Sequence, residues 1–162
     1  MTEKLSSFLR SSLNAEPSEL IPLDEELALT EEYLSIESVR FGDRLEIDVH
    51  CSDEACHALV PSFLVQPLVE NAVKHGVARS TEPVEVRIDA ELNHAGLRIT
   101  VSNDLAPDAA EKLPESEGAG VGIDNVRHRL NAVFGKRASL TAGPADGRFV
   151  ATIAIPNVML AP

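Results

Sequence analysis

Two neighbouring runs, "PVEVRIDAEL" and "GLRITVSN", alternate apolar and polar residues with a period of two and are joined by a short turn at Asn93 to Gly96. That alternation puts every second side chain of the hairpin on one apolar face. An apolar sheet face has to be covered by a second layer, so the hairpin commits the chain to more than strands. "RLEIDVH" alternates in the same way, and "ASLTAGPADGRFVATIAIP" reads as two strands around the turn signal Asp146-Gly147. Helical stretches supply the cover. Pro22 sets φ for a helix start, and Asp24, Glu25 and Glu26 place acids at the positive end of its dipole. This helix runs through "EELALTEEYLSIESVRF", with Leu27, Leu34 and Val39 among its apolar positions, and Gly42 ends it. "LVQPLVENAVKHGV" forms a second helix that starts or bends at Pro67 and ends at Gly76. "GAGVGIDNVRHRLNAVFG" is a Gly-rich turn feeding a third, stopped by Gly135. The expected architecture is α+β: a two-layer α/β sandwich, a mixed sheet with its helices on one face.

The remaining segments read as connections. "MTEKLSSFLRSSL" places Leu5, Phe8, Leu9 and Leu13 on one helical face and is too short to hold itself, so it is expected to pack on another element. "NAEPSEL" is a linker, "CSDEACHALVP" a loop, and "DLAPDAAEKLPESE", with two prolines and five acids, a long mobile loop. With 162 residues and 44% hydrophobic content, the chain suffices for one ordinary domain and is short for two. Its net charge of -12 repels phosphate at a distance and disfavours nonspecific binding to nucleic acid or anionic membrane. A phosphate ligand then needs a metal ion and local donors. No run approaches the roughly 18 apolar residues of a membrane span, and Met1 to Asn14 lacks the apolar core of a secretion signal. Two cysteines make no disulfide framework, which points to a reducing, cytoplasmic setting.

Two stretches carry chemistry. Gly118, Gly120 and Gly122 alternate directly before a helix. Glycine lets backbone approach a ligand, and the first N–H groups of the helix have no internal partner, which together suit an anion. A flexible turn with an N-cap gives the same pattern, and the spacing is neither a Rossmann fingerprint nor a P-loop. The polar face of "LVQPLVENAVKHGV" carries Glu70, Asn71, Lys74 and His75. An Asn oxygen is a neutral, hard ligand suited to Mg²⁺; a Lys one turn on reaches phosphate as a point charge, and a His can donate to another oxygen. An ordinary solvated helix face would look similar. "HCSDEACH" offers a rival, since His50, Cys51, Cys56 and His57 are zinc-ligand types, although four ligands within eight residues close a tetrahedron poorly. Arg127 and Arg129 flank His128 on the helix after the glycines; two apart, they cannot share a face, so at least one is expected to be plain surface charge.

Taken together, "LVQPLVENAVKHGV" resembles the N-box of the LytS-type sensor histidine kinases, and "GAGVGIDNVRHRLNAVFG" resembles their second glycine box. "IPLDEELALTEEYLSIESVRFGDRLEI" is similar to the segment that precedes the N-box in that family. The resemblance implies the Bergerat ATP-binding fold of the GHKL superfamily, shared with gyrase and MutL ATPases, with Asp104 to Glu117 as the ATP lid. Position by position it implies that Asn71 coordinates Mg²⁺ and that Lys74 and His75 face the nucleotide phosphates. It also implies that Gly118, Gly120 and Gly122 form the glycine box, and that Asn103 stands where relatives carry the Asp that bonds the adenine amino group. Residues 1–20 would be a remnant of the dimerisation hairpin with its linker, and 21–162 the ATP-binding catalytic domain.

The departures from the pattern are specific. The first glycine box, typically D-x-G-x-G, reads "NDLAP", so an Asn oxygen replaces a carboxylate and a weaker bond to the base is expected. Gly147-Arg148 stands where relatives often have Gly and a hydroxyl residue, and Pro67 occupies the position of the water-activating Glu of related ATPases. Fast hydrolysis is therefore not expected, whereas an imidazole acceptor needs no such base. None of the five histidines lies in the acceptor context of the family, so the acceptor hairpin is expected outside this chain. The resulting expectation is a Mg²⁺-ATP-binding catalytic domain of a two-component histidine kinase. It would donate the γ-phosphate to a His on that hairpin and act indirectly on a response regulator, as a monomer when isolated and a dimer in the full kinase. The rivals are a serine kinase of the anti-sigma type on the same fold and a binding module that has lost ATP.

Overall fold

The computed structural model describes residues 19–105 and 120–162. The segments Met1 to Leu13 and Ala106 to Glu117, and Gly118, for which a helix, a loop and a glycine-box position are expected, lie outside them. In chain order the elements are β1 (Leu20–Pro22), α1 (Leu23–Phe41), β2 (Leu45–Cys51), α2 (Asp53–Cys56), β3 (Leu59–Pro61), α3 (Gln66–His75), β4 (Val84–Asn93), β5 (Gly96–Asp104), α4 (Gly120–Phe134), β6 (Ser139–Ala145) and β7 (Arg148–Ile155).

The hairpin β4–β5 forms the centre of a five-stranded sheet of order β2-β4-β5-β7-β6. β2 runs parallel to β4, and the other pairs are antiparallel, so the sheet is mixed as expected. The register lines up Val86 with Asn103 and Asn103 with Phe149. Val84, Val86, Ile88 and Ala90 on β4, Leu97, Ile99 and Val101 on β5, and Ala151, Ile153 and Ile155 on β7 are all buried at alternate positions. These residues form one continuous face, and the helices pack on it. α1 contributes Leu23, Leu27 and Leu34, α3 contributes Leu68, Val69, Ala72 and Val73, and α4 contributes Ile123, Val126 and Leu130. Each fully buried leucine stabilises the packing by about 1.5–3 kcal/mol.

α1 begins after Pro22 and ends at Gly42, whose φ of 57° is where only glycine sits without strain. Val39, expected among the apolar positions of α1, is 66% exposed, because it lies about 140° around the helix from Leu34, away from the stripe of Leu23, Leu27 and Leu34, whereas Phe41 in the same last turn packs against the core. The stretch expected to be a loop, Cys51 to Pro61, is more ordered than that. Ser52 accepts from the Ala55 amide and starts the four-residue α2, and β3 pairs antiparallel with β1 in a separate two-stranded sheet. Leu20, expected in the linker, is the first residue of β1. These strands are three residues long, too short for periodicity to reveal.

Candidate functional site

α3 starts with Pro in its first turn, so Pro67 marks a beginning and not a bend. Its apolar back is buried, leaving Pro67, Glu70, Asn71, Lys74 and His75 on the other face. Asn71 and His75 are half-buried, and Lys74 is exposed. Glu70 is occupied within the helix, accepting from Gln66 Nε2 at 3.2 Å.

Two contacts give this face its ends. At its start, Gly122 in the first turn of α4 faces Pro67: a Cβ built on Gly122 would lie 3.7 Å from the Pro67 carbonyl oxygen and 3.8 Å from its Cβ. At its finish, Gly76 touches Asn103 so closely that a Cβ there would lie 2.5 Å from Asn103 Nδ2. Between Pro67 and Gly76 the helix advances by about 13 Å, and Asn71, Lys74 and His75 are spread along that length. Of the residues expected in the site, the fold thus brings Asn71, Lys74, His75, Asn103 and Gly122 to one helix, with Gly120 beside Gly122 in the same first turn. Gly120 and Gly122 lie inside α4 and not in a turn ahead of it, so the N–H groups of that turn are the ones its start exposes.

Asn103 is 1% exposed and its Nδ2 donates to the Asp104 carbonyl at 3.0 Å. A carbonyl can only be met by a donor, which fixes the amide orientation and leaves Oδ1 as an acceptor. Asp104, on the opposite face of β5, is held by Arg148, which also donates to Ser102 Oγ at 3.1 Å and to the Glu85 carbonyl at 3.3 Å. The second Asp104 oxygen accepts from the Glu85 amide at 3.0 Å. Arg148, the departure in the last hairpin, therefore ties β4, β5 and β7 together beneath Asn103.

The segment that leads into α3 was not singled out by sequence. Phe63 has φ of 61°, which for a residue with a Cβ costs about 1–2 kcal/mol. Its neighbours are anchored from both sides. Arg129 of α4 donates to the Ser62 carbonyl at 2.7 Å, while Arg127 pairs with Asp124 on the surface. From α1, the Glu26 carboxylate accepts from Phe63 N at 3.1 Å, Val65 N at 3.0 Å and Gln66 N at 3.4 Å. Glu26 is 1% exposed, and burial raises its pKa above the usual carboxylate value, opposed by those N–H bonds. A signal for Glu26 was present: it sits on the stripe Leu23, Leu27, Thr30, Leu34, where a carboxylate is out of place without partners.

The zinc-type residues do not converge. His50 and Cys51 are adjacent on β2 and point to opposite faces. His57 Nδ1 lies 2.7 Å from the Asp53 carbonyl, and Cys56 Sγ faces the Cys51 carbonyl. Burial first, and then the Cys56 thiol, push the Cys51 thiol up to about 12.

Solved structures similar to this fold include histidine kinase catalytic domains. The catalytic domain of the histidine kinase ThkA superposes with a TM-score of 0.62 at 14% identity, covering 89% of this chain and 98% of that one. The histidine kinase domain of the blue-light activated kinase of Erythrobacter litoralis gives 0.59 at 21% identity, covering 88% of this chain and 69% of that one. At these identities the likeness establishes the fold alone, that of a histidine kinase catalytic domain.

Sequence relatives narrow the class: over most of its length the chain is similar to one region of LytS-type sensor histidine kinases. It is 35% identical over 150 residues to the sensor histidine kinase/phosphatase LytS of Staphylococcus aureus, covering 85% of this chain and 25% of that protein. It is 33% identical over 137 residues to the sensor histidine kinase YesM of Bacillus subtilis, covering 84% and 23% respectively. A family model described as "Histidine kinase" matches residues 1–45. The chain spans about a quarter of the length of these curated relatives.

Proposed function

We propose that this chain binds Mg²⁺-ATP along α3 and serves as the catalytic domain of a two-component sensor histidine kinase. It would present the γ-phosphate to a histidine on a helical hairpin outside the described residues, in a kinase that acts on a response regulator. The observation that carries this reading is the layout of α3, with Gly122 at one end, Asn103 at the other and Asn71, Lys74 and His75 between them. Support also comes from ShkA, whose full-length structure was solved in complex with AMPPNP and resembles this chain with a TM-score of 0.58 at 24% identity, over 98% of this chain and 36% of that one.

The residues fit the ligand. Asn71 offers a neutral oxygen that a hard cation accepts, half-buried in the middle of the face. When bound, Mg²⁺ neutralises phosphate charge in a chain whose own charge opposes phosphate. Lys74 supplies an exposed ammonium one turn on, and His75 a further donor. The first-turn N–H groups of α4 face an anion without competing side chains at Gly120 and Gly122. Asn103 Oδ1 accepts from an exocyclic amino group at the base end. Pro67 offers no base for water, so catalysis consists of orientation and charge stabilisation, with a neutral imidazole as the acceptor.

Calorimetric titration with Mg²⁺-ATP, using Asn71→Ala as the control, tests this. Binding that is lost in Asn71→Ala, while the thermal melt stays within about 0.5 kcal/mol of the parent, is the expected result. No measurable binding at millimolar nucleotide would overturn the reading.

A further inference from the structure

Glu26 reaches the start of α3 from a different helix, where backbone donors need acceptors. The first four N–H positions of a helix lack intrahelical partners. In α3, Pro67 has no N–H; the Leu68 and Val69 amides bond the Val65 carbonyl at 3.0 and 3.1 Å. That leaves the Gln66 amide and that of the N-cap residue Val65, both taken by Glu26 Oε1, while Oε2 accepts from Phe63, two residues ahead of the cap. The residue in the N-cap position, Val65, provides no side-chain cap of its own. A ten-residue helix is too short to hold its own geometry, so its start is defined by these tertiary bonds.

We propose that Glu26 is a positioning residue for the nucleotide site: its buried carboxylate caps α3 from α1 and thereby sets where Asn71 stands relative to α4. The inference rests on the nucleotide reading given above. The geometry asks for a carboxylate in particular. Both oxygens act as acceptors, so a carboxamide would turn an NH₂ group towards one of the three N–H donors. Shortening to Asp would withdraw both oxygens by one methylene. On the other side of the same segment, Arg129 of α4 holds the Ser62 carbonyl and Gly122 packs on Pro67. The start of α3 is therefore fixed between α1 and α4, and Asn71 is little more than one turn beyond it. The base end, where Gly76 meets Asn103, lies at the far end of the helix and is braced separately by Asp104 and Arg148.

That separation supplies the test. Glu26→Gln and Glu26→Asp are compared with the parent in three measurements on the whole chain: thermal melting, calorimetry with Mg²⁺-ATP and with adenosine, and the NMR shifts of the Asn71 side-chain amide without ligand. Displacing the start of the helix is expected to weaken Mg²⁺-ATP at least about fivefold, because small misplacements at an orienting group are costly. Adenosine affinity is expected to stay within about twofold, on the same reasoning that distant sites act independently. The Asn71 amide signals are expected to move in the free protein. Equal loss for Mg²⁺-ATP and adenosine would reduce Glu26 to a general stabiliser and overturn the proposal, as would unmoved Asn71 signals. Should Glu26→Gln fail to fold, Glu26→Asp, which keeps the charge, decides by the same comparison. If the parent binds no nucleotide, the function proposed above falls, while the Asn71 signals still show whether Glu26 positions that residue.

Discussion

Gly76→Ala is a demanding test of the site as drawn. The added Cβ would lie 2.5 Å from Asn103 Nδ2, 2.6 Å from the Ala72 carbonyl oxygen and 3.0 Å from Asn103 Cγ. Neither neighbour can yield cheaply. The Ala72 carbonyl already receives the Gly76 amide at 2.9 Å, which closes the end of α3. Asn103 is buried and tied through Nδ2 to the Asp104 carbonyl. Overpacking of this kind costs about 1–3 kcal/mol, and a displaced Asn103 forfeits a further ~1 kcal/mol hydrogen bond. The sum, about 2–4 kcal/mol, lowers the melting temperature of a chain this long by roughly 4–15 °C. Thermal unfolding followed by circular dichroism measures it, and the double variant with Asn103→Ala locates it. Removing the Asn103 side chain relieves two of the three contacts, so the two substitutions are expected to couple by about 1 kcal/mol or more. If Gly76→Ala melts within about 2 °C of the parent, or if the two effects simply add, the close approach of α3 to the end of β5 is wrong.

Further outcomes follow from the buried and bridged charges. The folded-state pKa of Glu26 lies above its ordinary value of 4.5, so its contribution is fully present below that pH and is lost as pH rises through the folded value. Denaturant titrations are therefore expected to show a stability that increases on acidification within that window, with a smaller increase in Glu26→Gln; equal slopes would refute the assignment. Arg148→Met removes the guanidinium that joins buried Ser102 to the partly exposed Asp104 and Glu85, and should destabilise by about 1 kcal/mol, less at high salt. Urea unfolding at low and high salt checks this, and an unchanged midpoint at low salt would count against the bridge.

Much of the fold was legible as local pattern. Period two in "PVEVRIDAEL" and "GLRITVSN" became the central hairpin, and Pro22 and Gly42 bounded α1 as their fixed and permissive φ values require. The polar face of α3 likewise was visible as a helical spacing, since Asn71, Lys74 and His75 are neighbours on any helix. Val39 failed as a core residue because an apolar residue type does not make a core position: it lies about 140° around α1 from Leu34, off the buried stripe. β1 and β3 escaped because strands of three residues carry no period.

By itself, then, the sequence determined the elements, their faces and the residue types available along α3, all of which follow from interactions within a few residues of chain. Tertiary structure alone decided which distant groups meet those elements. The Glu26 carboxylate meets amides 37 to 40 residues away, Arg129 meets a carbonyl 67 residues away, and Gly76 at the end of α3 meets Asn103 at the end of β5. Backbone donors left over at a helix start must find an acceptor somewhere, but only packing determines which one. The same holds for the site, where spacing put Asn71 on a helix and the approach of α4 and β5 gave that helix two ends.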